Sequence, residues 1–432
     1  MNTKPSLSMK RVLIVTSSGG GGLLQAANAK EQEILSQYPS AVVMQRDVMK
    51  DWIWKWIGRG CVLIYNSAQR RGSVAIQRAC AWAAPASDLI FWPFVFVYAV
   101  KTLFQNEVDR VLDTQVLGTS ALIKAIRIYN KFSGKNIFLE KILVDMPTPQ
   151  ATHFFAPIKK LSSADRDYIR LVTIPPILDK GETEVSFWKR HCDLDSKSIQ
   201  YEDYYVRQTF RKFKGRKRDA VTVIPIAYKS QEELTLLLNS VQRGSSHYRI
   251  QSNSIEFTLD AAQKVVAILL GSQPAEQSSL RYVRNWIEWA KLNRNVAISL
   301  FVFCANHRPF TTSLLQKVSQ LVSEIVDYPS QLTVIPVSFQ NEQVIAPLFH
   351  RCDITCTRSG GQTAMEVMCV GTGNIWIHSE ALRKEAPLTN RDLLAGIPGW
   401  ESANAAYMQQ AVGAKIVTPE TFCEFATASL LN

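Results

Sequence analysis

The chain has little of what marks a secreted, zinc-bound or membrane-spanning protein. Its eight cysteines are scattered without paired spacing, Cys352 and Cys356 being the closest two, and its six histidines form no cluster with them. That pattern argues against a disulfide framework or a zinc motif and fits reduced thiols in a cytosol-like compartment. The opening stretch Met1–Val15 lacks the apolar core of a signal peptide, so no secretory leader is expected. The wholly apolar run Leu89–Val100 (LIFWPFVFVYAV) contains Pro93 and ends at Lys101. It falls short of the roughly 20 residues a bilayer span needs. Familiar nucleotide loops are missing as well. The glycines Gly19–Gly22 are followed by Leu23 rather than by Gly-Lys-Ser/Thr, and they do not keep the Gly-x-Gly-x-x-Gly spacing. A paired-aspartate metal motif is also lacking, and no metal or cofactor is expected.

What is present points to a globular protein of more than one domain. The chain has 432 residues, 47% of them apolar and 20% charged, which is too long for one ordinary core. Its net charge of +12 suits an anionic ligand, an anionic membrane surface or nucleic acid, and equally plain solubility. Strands alternate with helical patterns in both halves, which predicts parallel sheets covered on both faces. The first half opens strand, glycine loop, helix, strand over Arg11–Asp47. The second half repeats the alternation from about Gln263 to the end. Two such domains would face each other across a cleft.

Two segments of the first half invite a surface role. Trp52, Trp54 and Trp56 stand between Lys50, Lys55 and Arg59, and Phe91 and Trp92 lie in the apolar run. Tryptophan with flanking cations suits a bilayer interface, whereas Leu89–Val100 alone reads rather as a buried helix. The basic run Arg207–Arg218, with Phe210 and Phe213 interleaved, reads as a solvated loop or as a surface for phospholipid head groups. Nothing else in the chain supports nucleic acid as a partner.

Two strand–loop–helix turns carry the chemistry. Gly19–Gly22 offer bare backbone amides at a helix start, where the dipole favours an anion. Thr357–Met368 (TRSGGQTAMEVM) is a richer turn of the same kind. Its Ser359, Gly360 and Gly361 can offer a hydroxyl and amides to a diphosphate, and Glu366 lies about one and a half helical turns further on. A third element, Glu401 and Asn404, places two polar groups on one face at a helix start.

Taken in order, these pieces resemble the nucleotide-sugar half of GT-B glycosyltransferases. The likeness is to the glycosyltransferase family 28 group, which includes peptidoglycan lipid-intermediate N-acetylglucosaminyltransferases and glycosyl-diacylglycerol synthases. It rests on Asp353, Ser359-Gly360-Gly361, Thr363, Glu366, Glu401, Asn404-Ala405 and Gly413-Ala414, and covers about Gln263 to Val417. More loosely, the strand, glycine loop and alanine-rich helix at Leu13–Ala29 resemble the diacylglycerol branch. So does the segment carrying Asp145 and His153. One departure is plain: the family usually has a histidine straight after the glycines, where this sequence has Leu23.

The resemblance implies a GT-B fold of two Rossmann-like domains with an insertion between them. The expected boundaries are 1–156 for an acceptor-side domain, 157–219 for the insertion, 220–262 for a linker and 263–432 for a donor domain. It implies transfer of a hexose from a UDP-sugar, without a metal, to a lipid or other membrane-proximal acceptor, by a cytoplasmic protein peripheral at an anionic membrane. Gly271, Ser272, Ser359, Gly360, Gly361, Gln362, Thr363, Glu366, Glu401 and Asn404 would hold the donor. Gly19–Gly22 would face the acceptor, and Asp145 or His153 would replace the missing base. The alternatives are a catalytically silent UDP-sugar-binding protein, which Leu23 would suit, and a UDP-sugar epimerase of the same fold.

Overall fold

The computed structural model of the chain describes residues 10–18, 21–53, 55–305, 313–382 and 387–431. They divide into two compact units. The first runs to Asn66 and resumes over Ala75–Gln208; the second comprises Ser67–Val74 and everything from Thr209.

The first unit opens with β1 (Arg11–Thr16), α1 (Gly22–Gln37), β2 (Val42–Asp47), α2 (Lys55–Arg70) and α3 (Val74–Gln105). It continues with β3 (Arg110–Asp113), α4 (Thr119–Ser133), β4 (Leu139–Ile142), α5 (Thr152–Lys159) and α6 (Ser163–Arg166). It closes with β5 (Ile169–Thr173), α7 (Glu184–Cys192) and β6 (Ile199–Tyr201). The six strands form one sheet in the order β2-β1-β3-β4-β5-β6, every pairing parallel. Val12–Val15 are buried, as a central parallel strand covered on both faces requires. Between β2 and β3 the described residues make no strand but the long pair α2 and α3, and β2 lies at the sheet edge.

The second unit follows with α8 (Gln208–Arg211), β7 (Val221–Ala227), α9 (Gln231–Val241), β8 (Tyr248–Ile250) and β9 (Ser254–Asp260). Then come β10 (Lys264–Leu269), α10 (Glu276–Leu292), β11 (Ile298–Phe303), α11 (Leu314–Glu324), β12 (Leu332–Val337) and α12 (Glu342–Arg351). The last elements are β13 (Ile354–Thr357), α13 (Gly361–Val370), β14 (Asn374–His378), α14 (Asn390–Ala395), α15 (Gly399–Val412), β15 (Lys415–Val417) and α16 (Phe422–Leu430). Its main sheet runs β12-β11-β10-β13-β14-β15, again all parallel, which is the Rossmann strand order. Trp286 stacks near Trp376 at 6.3 Å, and Phe422 packs on both, closing one face of that sheet.

Both Rossmann-like units expected from the sequence are therefore present, but the boundaries between them move. The expected insertion 157–219 is instead divided between the units: β5 and β6 complete the first sheet, and the chain from Thr209 belongs to the second unit. Residues 220–262 are no bare linker either. They form α9 and the antiparallel sheet β7-β9-β8, whose Phe257 packs edge-on against Phe301 of β11 at 5.8 Å. The basic run is neither a wholly solvated loop nor a free basic surface, because part of it packs within the second unit. Phe210 is fully buried against Phe349, Phe213 packs on His350, and Arg218 donates to Asp353 Oδ1 at 2.9 Å.

The apolar run also extends further than its sequence pattern. It lies inside α3, whose Ala86–Gln105 portion is long and apolar enough to cross a membrane by length and composition, with 28% of it buried. Phe91, Val95, Ala99 and Leu103, spaced four apart, sink one face of that helix into the first core. The opposite face, with Leu89, Ile90 and Val97, stays exposed.

Candidate functional site

In doubly wound sheets the strand order reverses at a switch point, and the loops at the carboxyl ends of the strands flanking it form a crevice. In the second unit that point lies between β10 and β13. The loop after β10 turns through Gly271, whose φ of +84° is left-handed and so favours glycine, and then Ser272. The loop after β13 is Arg358-Ser359-Gly360, leading into α13 at Gly361.

This second loop is braced from α15. Arg358 grips the Glu401 carboxylate with two guanidinium nitrogens, Nε at 3.0 Å from Oε2 and Nη2 at 3.1 Å from Oε1. Ser359 Oγ donates to the Glu401 carbonyl at 2.7 Å, and Asn404 Nδ2 donates to the Ser359 carbonyl at 2.8 Å. Glu401 and Asn404 thus do local work: they fix the loop with the very groups expected to meet the sugar. The Ser359 hydroxyl is likewise committed to α15 rather than aimed at a diphosphate. Buried polar groups must be paired, and this set pairs internally.

Gly360 is the exception to that internal logic. Its φ is −62°, open to any residue, and a Cβ built on it would meet nothing nearer than Glu401 Oε1 at 3.9 Å. Neither backbone conformation nor packing within the chain requires glycine there. Glu366 sits in α13, buried, with Oε1 accepting from Gln362 Nε2 at 3.1 Å; Thr363 lies on the same first turns. Asp353, the start of the resemblance, is at the opposite end of β13. Its oxygens take Arg218 and the Val265 amide at 2.8 Å, so its role is to join strands.

Sequence reading missed five residues at this edge, Arg358, His378, Glu380, Ser278 and Tyr282. Arg358 directly precedes the Ser-Gly-Gly motif, an adjacency that could have flagged it. His378 ends β14, and its Nε2 lies 3.0 Å from Glu380 Oε1 while Ser278 Oγ donates to Glu380 Oε2 at 2.8 Å. Burial alone would raise the Glu380 carboxyl, but the charge and hydrogen bond of His378, with Ser278 and the Arg358 charge, hold it below the usual range. Tyr282 OH, 3.1 Å from His378 Nδ1, completes the chain of contacts.

In the first unit the switch point lies between β1 and β3. Of the glycine loop expected to face the acceptor, Gly19 and Gly20 lie outside the described residues. Gly21 caps α1 at a left-handed φ of +79°, and Gly22 begins the helix. Leu23 packs against the first core, and its carbonyl accepts from Thr114 Oγ1 at 3.2 Å. The next strand end brings Asp145 and His153 together, with His153 Nε2 at 2.9 Å from Asp145 Oδ2. Beneath them Lys141 and Asp113 form a fully buried pair at 2.7 Å, which Thr119 Oγ1 joins at 3.0 Å. Gln115 Nε2 and Thr148 Oγ1, on the loops after β3 and β4, are buried and have no hydrogen-bond partner among the described residues.

The residues expected to touch a membrane divide. Trp54 lies outside the described residues. Trp52 is buried at 3% exposure, because the turn Val48–Trp52 folds it inward, and Phe91 is buried in the same core. These two are corrected to core residues. Trp92 is half-buried, stacked on Phe96 at 5.0 Å. Trp56 is 73% exposed, as are Leu89 (76%), the first residue of the apolar run, and Trp82 (87%), which the sequence did not single out.

No family model and no curated protein matches the chain. Among solved structures it is similar to MurG from Acinetobacter baumannii, at 12% identity over 98% of this chain and 90% of that one, with a TM-score of 0.43. It is similar to a putative UDP-N-acetylglucosamine 2-epimerase from Listeria monocytogenes, at 9% identity over 99% and 89%, with a TM-score of 0.46. It is likewise similar to the glycotransferase of kitacinnamycin, at 11% identity over 98% and 90%, with a TM-score of 0.46.

Proposed function

We propose that the protein is a GT-B glycosyltransferase that moves a sugar from a UDP-sugar to an acceptor hydroxyl at a membrane surface. The observation that carries this reading is the loop Arg358–Gly361. It presents a braced cation and an otherwise unexplained glycine at a helix N-terminus, at the switch point of a Rossmann sheet. Backbone amides and the helix dipole there suit a diphosphate, and Glu366, one and a half turns on, suits the ribose. Stabilising the departing diphosphate in this way calls for no metal.

His153 would serve as the base. Asp145 holding Nε2–H makes Nδ1 the basic nitrogen. The acceptor hydroxyl would give its proton to Nδ1 as its oxygen bonds to the anomeric carbon. The bond from that carbon to the diphosphate breaks, and UDP leaves. Gln115 and Thr148 supply unpaired polar atoms of the kind a hydroxylated acceptor would satisfy. The exposed apolar faces of α2 and α3 favour an acceptor met at a bilayer, by a protein peripheral to its cytoplasmic side.

A second reading, a silent protein that binds UDP-sugar without turnover, is favoured by Leu23, whose packed side chain supplies no base. Release of UDP from UDP-glucose, UDP-galactose and UDP-N-acetylglucosamine, with and without lipid acceptors, separates the two. Turnover that falls on His153→Ala or Asp145→Asn while UDP affinity holds supports the transferase. Binding without turnover for every donor and acceptor supports the silent protein.

A further inference from the structure

The first unit holds a feature that neither the donor loop nor the His153–Asp145 pair uses. Beyond the carboxyl end of the edge strand β2 lies an open cavity of about 360 Å³. Arg46, Lys50 and Lys101 bring three cations to its wall, where the one lining acid is Asp51 and Lys50 Nζ is paired with Asp47 Oδ2 at 3.6 Å. Asp51 is engaged, its Oδ2 accepting from the Asp47 amide at 2.9 Å. Among the described residues, neither Arg46 nor Lys101 has an acidic partner; Arg46 Nη1 donates only to the Gln45 carbonyl, at 3.1 Å. The cavity is therefore cationic on balance and suited to a phosphate.

Its surroundings say which phosphate. Lys101 and Tyr98 belong to α3, the helix with an apolar outer face. Helical periodicity puts Ile90, Val97 and Lys101, seven and four residues apart, on one stripe. Ile90 is 64% and Val97 59% exposed, and Tyr98 (40%) leads from that stripe into the cavity wall. From Ile90 to Lys101 the stripe runs roughly 16 Å at 1.5 Å per residue. That is close to half the roughly 30 Å hydrocarbon thickness of a bilayer. On α2, Trp56, Gly60 and Leu63 share a face as well, with Trp56 and Leu63 both strongly exposed. A soluble phosphate would have no use for such a stripe, whereas an amphiphile matches both its charged end and its apolar length.

We infer that this cavity holds the phosphate of an anionic phospholipid in the bilayer, with the acyl chains along the Ile90–Val97 stripe. This rests on the membrane reading above and adds to it a discrete headgroup site lined by none of the residues assigned to the donor or to the base.

Sedimentation of the full chain with phosphatidylcholine vesicles, and with vesicles of equal parts phosphatidylcholine and phosphatidylglycerol, tests it. A basic residue near an anionic surface contributes about 1 kcal/mol, so Arg46→Gln and Lys101→Gln should each weaken binding to the mixed vesicles about fivefold. Lys131→Gln, the same charge removed from the end of α4, should change it much less. Equal losses in all three variants would mean diffuse attraction and overturn the site. Equal binding of the unaltered protein to both vesicles would overturn the site and leave the membrane reading standing. No binding to either would overturn both. A Lys101-dependent response to inorganic phosphate, with vesicle binding unchanged in the variants, would make it a site for free phosphate and overturn the lipid.

Discussion

The two switch points look alike in sequence, each a strand followed by glycines and a helix, and differ in what their glycines are for. In the first unit Gly21 is left-handed, Leu23 packs inward, and Thr114 ties the Leu23 carbonyl to Thr16 through a 3.0 Å hydroxyl contact. Backbone and core explain Gly21 and Leu23 without a ligand. In the second unit Gly360 has an ordinary φ and room for a side chain, while everything around it is clamped by α15. A rigid frame around an unforced glycine is what close approach of a ligand to the backbone would select. Glycine content alone does not separate the two cases; φ and the space at Cβ do.

The largest effect that would test this contrast concerns the frame. Arg358→Met strands the buried Glu401 carboxylate and should lower stability by about 3–5 kcal/mol in denaturant titrations. A loss below about 1 kcal/mol would mean the loop is not braced as described. Next, Glu366→Ala should weaken UDP binding by about 1.5–3 kcal/mol, read by calorimetry, if its carboxylate takes the ribose. Unchanged affinity would remove that assignment. Gly21→Ala should lower stability by about 1–2 kcal/mol through its left-handed φ and leave UDP affinity alone. The smallest effect is in pH. Glu380 is held below its usual value of 4.5, so its contribution is present above that pH and fades as pH falls through the depressed value. Glu380→Gln should therefore shallow the loss of stability on acidification; an identical acid limb in both proteins would show the His378 pairing to be weak.

Much of the fold was legible because alternating apolar strands and amphipathic helices leave period and length in the sequence. The Ser359–Glu366 turn was legible for the same reason. Less legible was the role of each side chain within the site. Glu401 and Asn404 were found, but partners such as Arg358 and the Ser359 carbonyl come from tertiary geometry that spacing does not encode. Trp52 was misplaced because the turn at Val48–Trp52 rotates it inward, whereas the alternation of Trp and Lys suggested a wet face. The 157–219 stretch reads as an insertion in the sequence because β6 is a short edge strand of three residues, too brief to show a period. The cationic cavity was beyond sequence reading altogether, since Arg46 and Lys101 meet only through the packing of α3 beside β2.

The central claim is that the nucleotide sits on the Arg358–Gly361 loop, and the most direct test is UDP binding to Gly360→Ala beside its thermal stability. Because the chain itself leaves room at that position, the variant should keep the melting temperature of the unaltered protein. Because UDP would lie against that backbone, its affinity should fall at least about tenfold, roughly 1.4 kcal/mol. Equal UDP affinity in the two proteins, or no UDP binding by either, would contradict the account.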